Sequence, residues 1–187
     1  MSQRWTFTGE DADGVRHYTT PHNQHLRLGR GSYCREPLLP FPGGEVTVGR
    51  YTSIAPGCGF LTGEGVNHPP AVNPMAVTSY DFGIPTAPGA PITIGSSVWV
   101  GMYAIFLPGV SVGDGAIIGA SCTVAKDVPP YAVCVGNPMQ VKRYRFDPYT
   151  VQAILQIRWW DWPREQIDEA RAAGLFEDVG AFVRKYG

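Results

Sequence analysis

The sequence predicts an all-β chain with helices at its C-terminus: a parallel β-helix wound from six-residue rungs. Two observations predict it. First, Ile94 to Val128 divides into consecutive blocks of six. An aliphatic or aromatic residue opens each block (Ile94, Val100, Phe106, Val112, Ile118, Val124). A small or branched residue sits four places later (Val98, Ala104, Val110, Ala116, Cys122, Val128). Six is no helical period, but it is a multiple of two, so every opener points the same way in extended backbone. Short extended pieces joined by Gly-bearing bends wind into a coil in which each rung covers the one below. Second, the period changes at Asp147, where apolar residues take up helical spacing.

Residues 1–25 are polar and read as irregular. They hold His17, His22 and His25, spaced five and then three apart. These read as exposed loop histidines, with a shared helix face as the alternative. The repeat begins loosely at Leu26, with Leu28-Gly29 as a first corner. Pro37, Pro40, Pro42, Gly43 and Gly44 then read as a connection. The register resumes at Val48, Ile54 and Phe60.

From 61 to 91 the repeat stops. A long excursion from a regular scaffold is more often functional than not. This one carries Asn67-His68-Pro69-Pro70, and His68 is the only histidine in the repeat region. After the main block, Pro129-Pro130 is expected to end the winding, and Gly136-Asn137-Pro138 to turn the chain away. Asp147-Pro148 then reads as a helix start, with Asp as cap and Pro at the first helical position. Val151, Ile154, Leu155 and Arg158 share one face. Pro163 opens a second helix that stops at Gly174, and Val179, Phe182, Val183 and Tyr186 mark a third. Trp159, Trp160 and Trp162 are expected to fill the core where helices meet the rod. The expected organisation is a rod over 1–145, with the excursion at 61–91, and a helical extension over 146–187.

Composition narrows the class. Gly 23 and Pro 17 suit ordered corners rather than disorder, because many fall at repeat boundaries. A net charge of -1 gives no footprint for nucleic acid or an anionic membrane surface. No apolar run reaches membrane length, and Met1 to Phe7 lack the apolar core of a secretion signal. Of the four cysteines, Cys58 and Cys122 occupy small slots of the repeat and read as buried apolar residues; no CxxC pair points to zinc. A cytoplasmic location is expected.

One ordered set of motifs carries a resemblance. It comprises Gly49-Arg-Tyr-Thr-Ser-Ile-Ala-Pro-Gly57, Asn67-His68, Ile94-Gly-Ser-Ser-Val-Trp-Val-Gly101, Pro108-Gly-Val-Ser-Val-Gly-Asp-Gly-Ala116, Lys126-Asp-Val-Pro-Pro-Tyr131, Gly136-Asn-Pro138, Arg145-Phe146 and Trp159-Trp-Asp-Trp-Pro163. Together they resemble the hexapeptide-repeat O-acetyltransferases. The nearest branch is the xenobiotic acetyltransferases, which include the type B chloramphenicol and streptogramin enzymes. The match runs from about Leu28 to Pro163.

The resemblance implies a left-handed parallel β-helix, a homotrimer, and acetyl-CoA as co-substrate in a groove between neighbouring rods, with no metal. It implies His68 as general base on a small-molecule hydroxyl acceptor such as a sugar, an antibiotic or another natural product. Asn67 would orient the loop on the acceptor side. Coenzyme A contacts are implied at Gly101, Met102, Gly119, Ala120, Ala125, Lys126, Asn137 and Pro138. Arg143 is added as a phosphate partner on its charge and position. Pro69-Pro70 and Asn73-Pro74-Met75 depart from the family's usual residues there, which puts the acceptor in question. Two other readings compete. A zinc hydratase of the γ-carbonic anhydrase type needs three histidines about one metal, and the repeat region has one. A non-catalytic rod needs no histidine-bearing loop.

Overall fold

The computed structural model describes residues 5–20, 24–34, 37, 44–62 and 89–187. The chain opens with β1 (Thr6–Glu10), β2 (Arg16–Thr19), β3 (His25–Leu28), β4 (Tyr33–Cys34), β5 (Glu45–Val48), β6 (Ser53–Ile54) and β7 (Gly59–Phe60). After the excursion come β8 (Ile92–Ile94), β9 (Trp99–Val100), β10 (Ile105–Phe106), β11 (Ser111–Val112), β12 (Ile117–Ile118), β13 (Thr123–Val124), β14 (Ala132–Val135) and β15 (Gln140–Tyr144).

Successive strands pass to successive faces of a three-sided coil. The first face holds β3, β5, β8 and β11 in that order. The second holds β4, β6, β9, β12 and β14, and the third β7, β10 and β13. Register follows the openers. Val48 pairs with Ile94 and Ile94 with Val112; Ile54 stacks through Val100 to Ile118; Phe60 stacks through Phe106 to Val124. Every opener from Ile94 to Val124 is buried, and so is every small slot from Val98 to Val128. The Phe60 and Phe106 rings stack with centroids 5.1 Å apart.

The corners have a shared backbone rule. Three residues after most inward-facing rung residues the backbone takes a positive φ, at Tyr51 (55°), Ser97 (57°), Tyr103 (60°), Ser121 (56°) and Tyr131 (56°) and at glycines 31, 57, 109 and 115; Asp127, three after Val124, does not. That conformation costs an L-residue roughly 1–2 kcal/mol. Each tyrosine sets packing against the cost, because its ring lies over the glycine at the same corner of the preceding coil. A Cβ on Gly57 would come within 2.5 Å of the Tyr103 ring, and one on Gly115 within 2.4 Å of the Tyr131 ring. Glycine is therefore required beneath each of these rings.

Two expectations are corrected. The N-terminal segment is not irregular. β1 and β2 form an antiparallel hairpin whose second strand pairs with β3 and extends the first face. His17 and His25 lie on these strands, so they share a sheet and not a helix face. The segment's polar alternation had no hexad to mark it, since hairpin strands obey only the period of two. Nor does Pro129-Pro130 end the winding. Val128 bridges to Val112, and β14 returns to the second face in parallel beside β12. The prolines sit in a corner, where no ladder N–H is needed. The coil ends one side later, when β15 folds back antiparallel on β14.

The helices follow as expected: α1 (Pro148–Ile157), a 3-10 turn (Trp159–Asp161), α2 (Arg164–Ala172) and α3 (Val179–Tyr186). The Asp147 side chain accepts from the Tyr149 and Thr150 amides, and Asp178 accepts from the Ala181 amide. The helices dock on the corner between the first and second faces. Trp160 is buried with Ile154 and Tyr131. Trp159 packs on Tyr51 at 5.3 Å; Arg50 pairs with Asp161 at 2.9 Å; Arg30 donates to the Trp162 carbonyl at 2.8 Å.

Candidate active site

Small residues recur at the corner between the second and third faces. Its coils follow one another as Pro56-Gly57, Gly101-Met102-Tyr103, Gly119-Ala120-Ser121 and Gly136-Asn137-Pro138. Parallel-coil hydrogen bonds hold them in register. The Gly101 amide donates to the Ile118 carbonyl at 2.8 Å, the Gly119 amide to Cys134 at 2.8 Å, and the Ser121 amide to Met102 at 2.9 Å. Gly101 is closed in by the next coil: a Cβ there would lie 2.6 Å from the Ala120 nitrogen. The Asn137–Pro138 peptide bond is cis.

The structure thus brings six of the sequence-selected residues to one edge: Gly101, Met102, Gly119, Ala120, Asn137 and Pro138. Ala125 and Lys126 are exposed at the next corner, beyond β13. Arg143 is exposed on β15, opposite Val133, and its Nη1 donates to the Tyr144 carbonyl at 3.3 Å. Asn67 and His68 lie outside the described residues. The excursion that carries them leaves β7 on the third face and rejoins β8 on the first.

Of the exposed apolar side chains along this edge, sequence reasoning selected Met102 and passed over Trp99, Tyr103 and Ile105. Trp99 (56% exposed), Tyr103 (59%), Met102 (44%) and Ile105 (40%) stand out from the surface. A signal was available at Tyr103, which sits where the same corner elsewhere has Gly57 and Ser121. The later coils carry only small residues at this corner, and Met102 and Tyr103 project from the coil before them.

Among the described residues, no group of three or more His, Cys, Asp or Glu stands close enough to hold a metal. No helix there is long and apolar enough to cross a membrane. Burial raises all four thiols: Cys34 to about 12 and Cys122 to about 11, with Cys58 and Cys134 shifted the same way. Such thiols are poor nucleophiles.

A model of the bacterial transferase hexapeptide family (six repeats) matches residues 91–126. A chloramphenicol acetyltransferase from Agrobacterium fabrum strain C58 is 34% identical over 163 residues, covering 81% of this chain and 77% of its own. The chain belongs to the hexapeptide-repeat xenobiotic acetyltransferases. This acetyltransferase is accordingly an enzyme that moves acyl groups, and the non-catalytic and zinc hydratase readings give way. A probable macrolide acetyltransferase from Lysinibacillus sphaericus is 35% identical, covering 78% of this chain and 88% of its own. Among solved structures, a maltose O-acetyltransferase from Clostridium difficile 630 superposes with a TM-score of 0.53 at 27% identity. That match covers 65% of this chain and 60% of that one.

Proposed function

We propose that this acyltransferase carries an acetyl group from acetyl-CoA to a hydroxyl of a small molecule, with His68 as general base. The observation that carries the reading is the stacked edge of small residues, Gly101, Gly119, Ala120, Asn137 and Pro138. It offers coenzyme A an open backbone-lined groove. Lys126 and Arg143 are cations for its phosphates. The Tyr103 end of the groove lies in the coil that follows the excursion bearing His68, so the thioester end is assigned there and the nucleotide end to the later coils.

The chemistry fits an imidazole. An alcohol is a weak nucleophile at neutral pH. His68 takes its proton as the oxygen attacks the thioester carbon, because an imidazole titrates near the operating pH. The new C–O bond forms, the C–S bond breaks, and the imidazolium returns the proton to the departing thiolate. Asn67 orients the loop beside the acceptor. The relatives' names favour an antibiotic, a sugar or another natural product as that acceptor.

The same proposal includes a left-handed coil and a homotrimer with the groove between neighbouring rods. The exposed Trp99, Met102, Tyr103 and Ile105 support subunit contact along this edge. It also includes a functional division near 145/146 and work in the cytoplasm, where thiols stay reduced.

The test is acetyl transfer from acetyl-CoA to a panel of phenicols, streptogramins, macrolides and sugars, followed by release of free coenzyme A. His68→Ala should lower kcat by about 10²–10⁴-fold with coenzyme A binding retained. Full turnover in His68→Ala removes the histidine from the chemistry. No acetyl-CoA binding by the parent protein removes the proposal.

A further inference from the structure

A second cavity lies away from the groove, where the C-terminal helices close over the corner between the first and second faces. Its volume is about 110 Å³. The upper wall is apolar, formed by Trp159, Phe176, Val179 and Phe182; Ser97 and Arg145 bring polar groups to the rod side.

Arg145 is the unexplained feature. It is half-buried, and its Nη1 donates to the Gly115 carbonyl at 2.7 Å. Its guanidinium carbon lies 5.5 Å from the Tyr131 ring centroid and 5.3 Å from that of Phe146. Among the described residues it makes no ion pair. Asp114, at the same corner, accepts instead from the Ser96 amide at 2.6 Å. Burial pulls the Arg145 pKa down, and the neighbouring Arg143 charge acts the same way. One carbonyl uses one of five donors, and a planar guanidinium fork matches a carboxylate.

We infer that this cavity binds a small carboxylate with a short branched apolar tail, its carboxylate on Arg145 and its tail among the aromatic rings. Size and chemistry select that class. Cavities that hold a benzene ring measure about 150 Å³, so a four- or five-carbon acid suits this smaller space better than an aromatic acid. Inorganic anions satisfy the arginine but leave the aromatic wall uncovered. Neutral ligands of the same shape cover the wall and leave the arginine unpaired. Because the walls come from both rod and helices, an occupant would join the two.

The experiment uses the full chain with isobutyrate as probe, read by saturation-transfer NMR and thermal unfolding. Isobutyrate should bind saturably at roughly millimolar Kd, as its few heavy atoms allow, and raise the Tm as the site fills. Isobutyramide, neutral and of the same shape, should bind at least about ten-fold more weakly, by loss of the charge-assisted pair. Phosphate should compete at least about ten-fold more weakly than isobutyrate competes with itself, because it leaves the aromatic wall uncovered. Val179→Phe, which fills the apolar end and keeps Arg145, should abolish binding. If that variant does not fold, Arg145→Lys serves, with an expected loss of about ten-fold from the missing bidentate fork. No saturable binding up to roughly 50 mM, far above the expected Kd, overturns the inference. Equal binding of isobutyramide, competition by phosphate as strong as by isobutyrate, or unchanged binding in a folded Val179→Phe protein overturns it as well.

Discussion

Gly101→Ala tests both the coil geometry and the groove. An alanine Cβ would lie 2.6 Å from the Ala120 nitrogen and 2.9 Å from its Cα, and backbone cannot swing aside as a side chain can. Ordinary contact needs about 3.4 Å or more, so the two coils must part by about half an ångström or more at this corner. Two hydrogen bonds flank the site, Gly101 amide to Ile118 carbonyl at 2.8 Å and Ser121 amide to Met102 carbonyl at 2.9 Å, and both would stretch. Overpacking of this kind costs about 1–3 kcal/mol. A cost of about 2 kcal/mol lowers the Tm by roughly 4–8 °C for a chain of this size. Gly59→Ala is the matched control. Its nearest neighbour would be the Ile105 Cγ1 at 3.8 Å, an ordinary contact, so its stability should change by less than about 0.5 kcal/mol. Both proteins are unfolded thermally side by side and assayed with acetyl-CoA. Gly101→Ala should be the less stable and should lose turnover, because the displaced corner is the one proposed to receive coenzyme A. If the two melt together, coil contact at Gly101 is not what the structure implies.

Further predictions concern the rod–helix junction and the thiols. Tyr131→Ala removes a buried ring that covers Gly115 and faces Phe146 at 5.6 Å; it should cost about 3–5 kcal/mol, read from the denaturant midpoint. Asp161→Ala breaks its pairs with Arg50 at 2.9 Å and Arg158 at 2.7 Å. Both are partly exposed, so the expected loss is only about 1 kcal/mol, measured in the same titration. The thiols hold their protons more tightly folded than unfolded. Their contribution to stability is complete below the ordinary thiol value of 9.0 and drains as pH rises toward about 12, the Cys34 value. Denaturant midpoints should therefore fall over that alkaline window. Ellman's reagent at pH 8 should label the four cysteines only on unfolding, and rapid native labelling would contradict their burial.

The coil was legible because its constraint is local and repeated. Each opener from Ile94 to Val124 must point inward, and no other period puts six apolar residues in column. The start of α1 was legible for a similar reason: Asp147 caps amides two and three residues away. Corners were legible as bends but not in detail. Tyr51, Tyr103 and Tyr131 hold a glycine's conformation because each ring has a glycine beneath it one coil earlier, some sixteen to forty-six residues back in the chain. The N-terminal hairpin was missed because strands that merely extend a sheet need no hexad.

The candidate site divides the same way. Gly101, Gly119, Ala120, Asn137 and Pro138 were selected by resemblance, and the fold then gathers them on one edge. Ala125 and Lys126, selected on the same grounds, and Arg143, selected on charge and position, lie off that edge.

The amino-acid order alone determined the rung length, the inward face of each rung, the helix caps and the family motifs. All depend on neighbours within a few positions. Tertiary structure decided which corners line up along one edge, that the winding passes Pro129-Pro130, and that Arg145 sits beneath α1 and α3 with no carboxylate partner among the described residues. Those outcomes depend on which coil lies over which, and stacking joins residues some fifteen or more positions apart that no local pattern links.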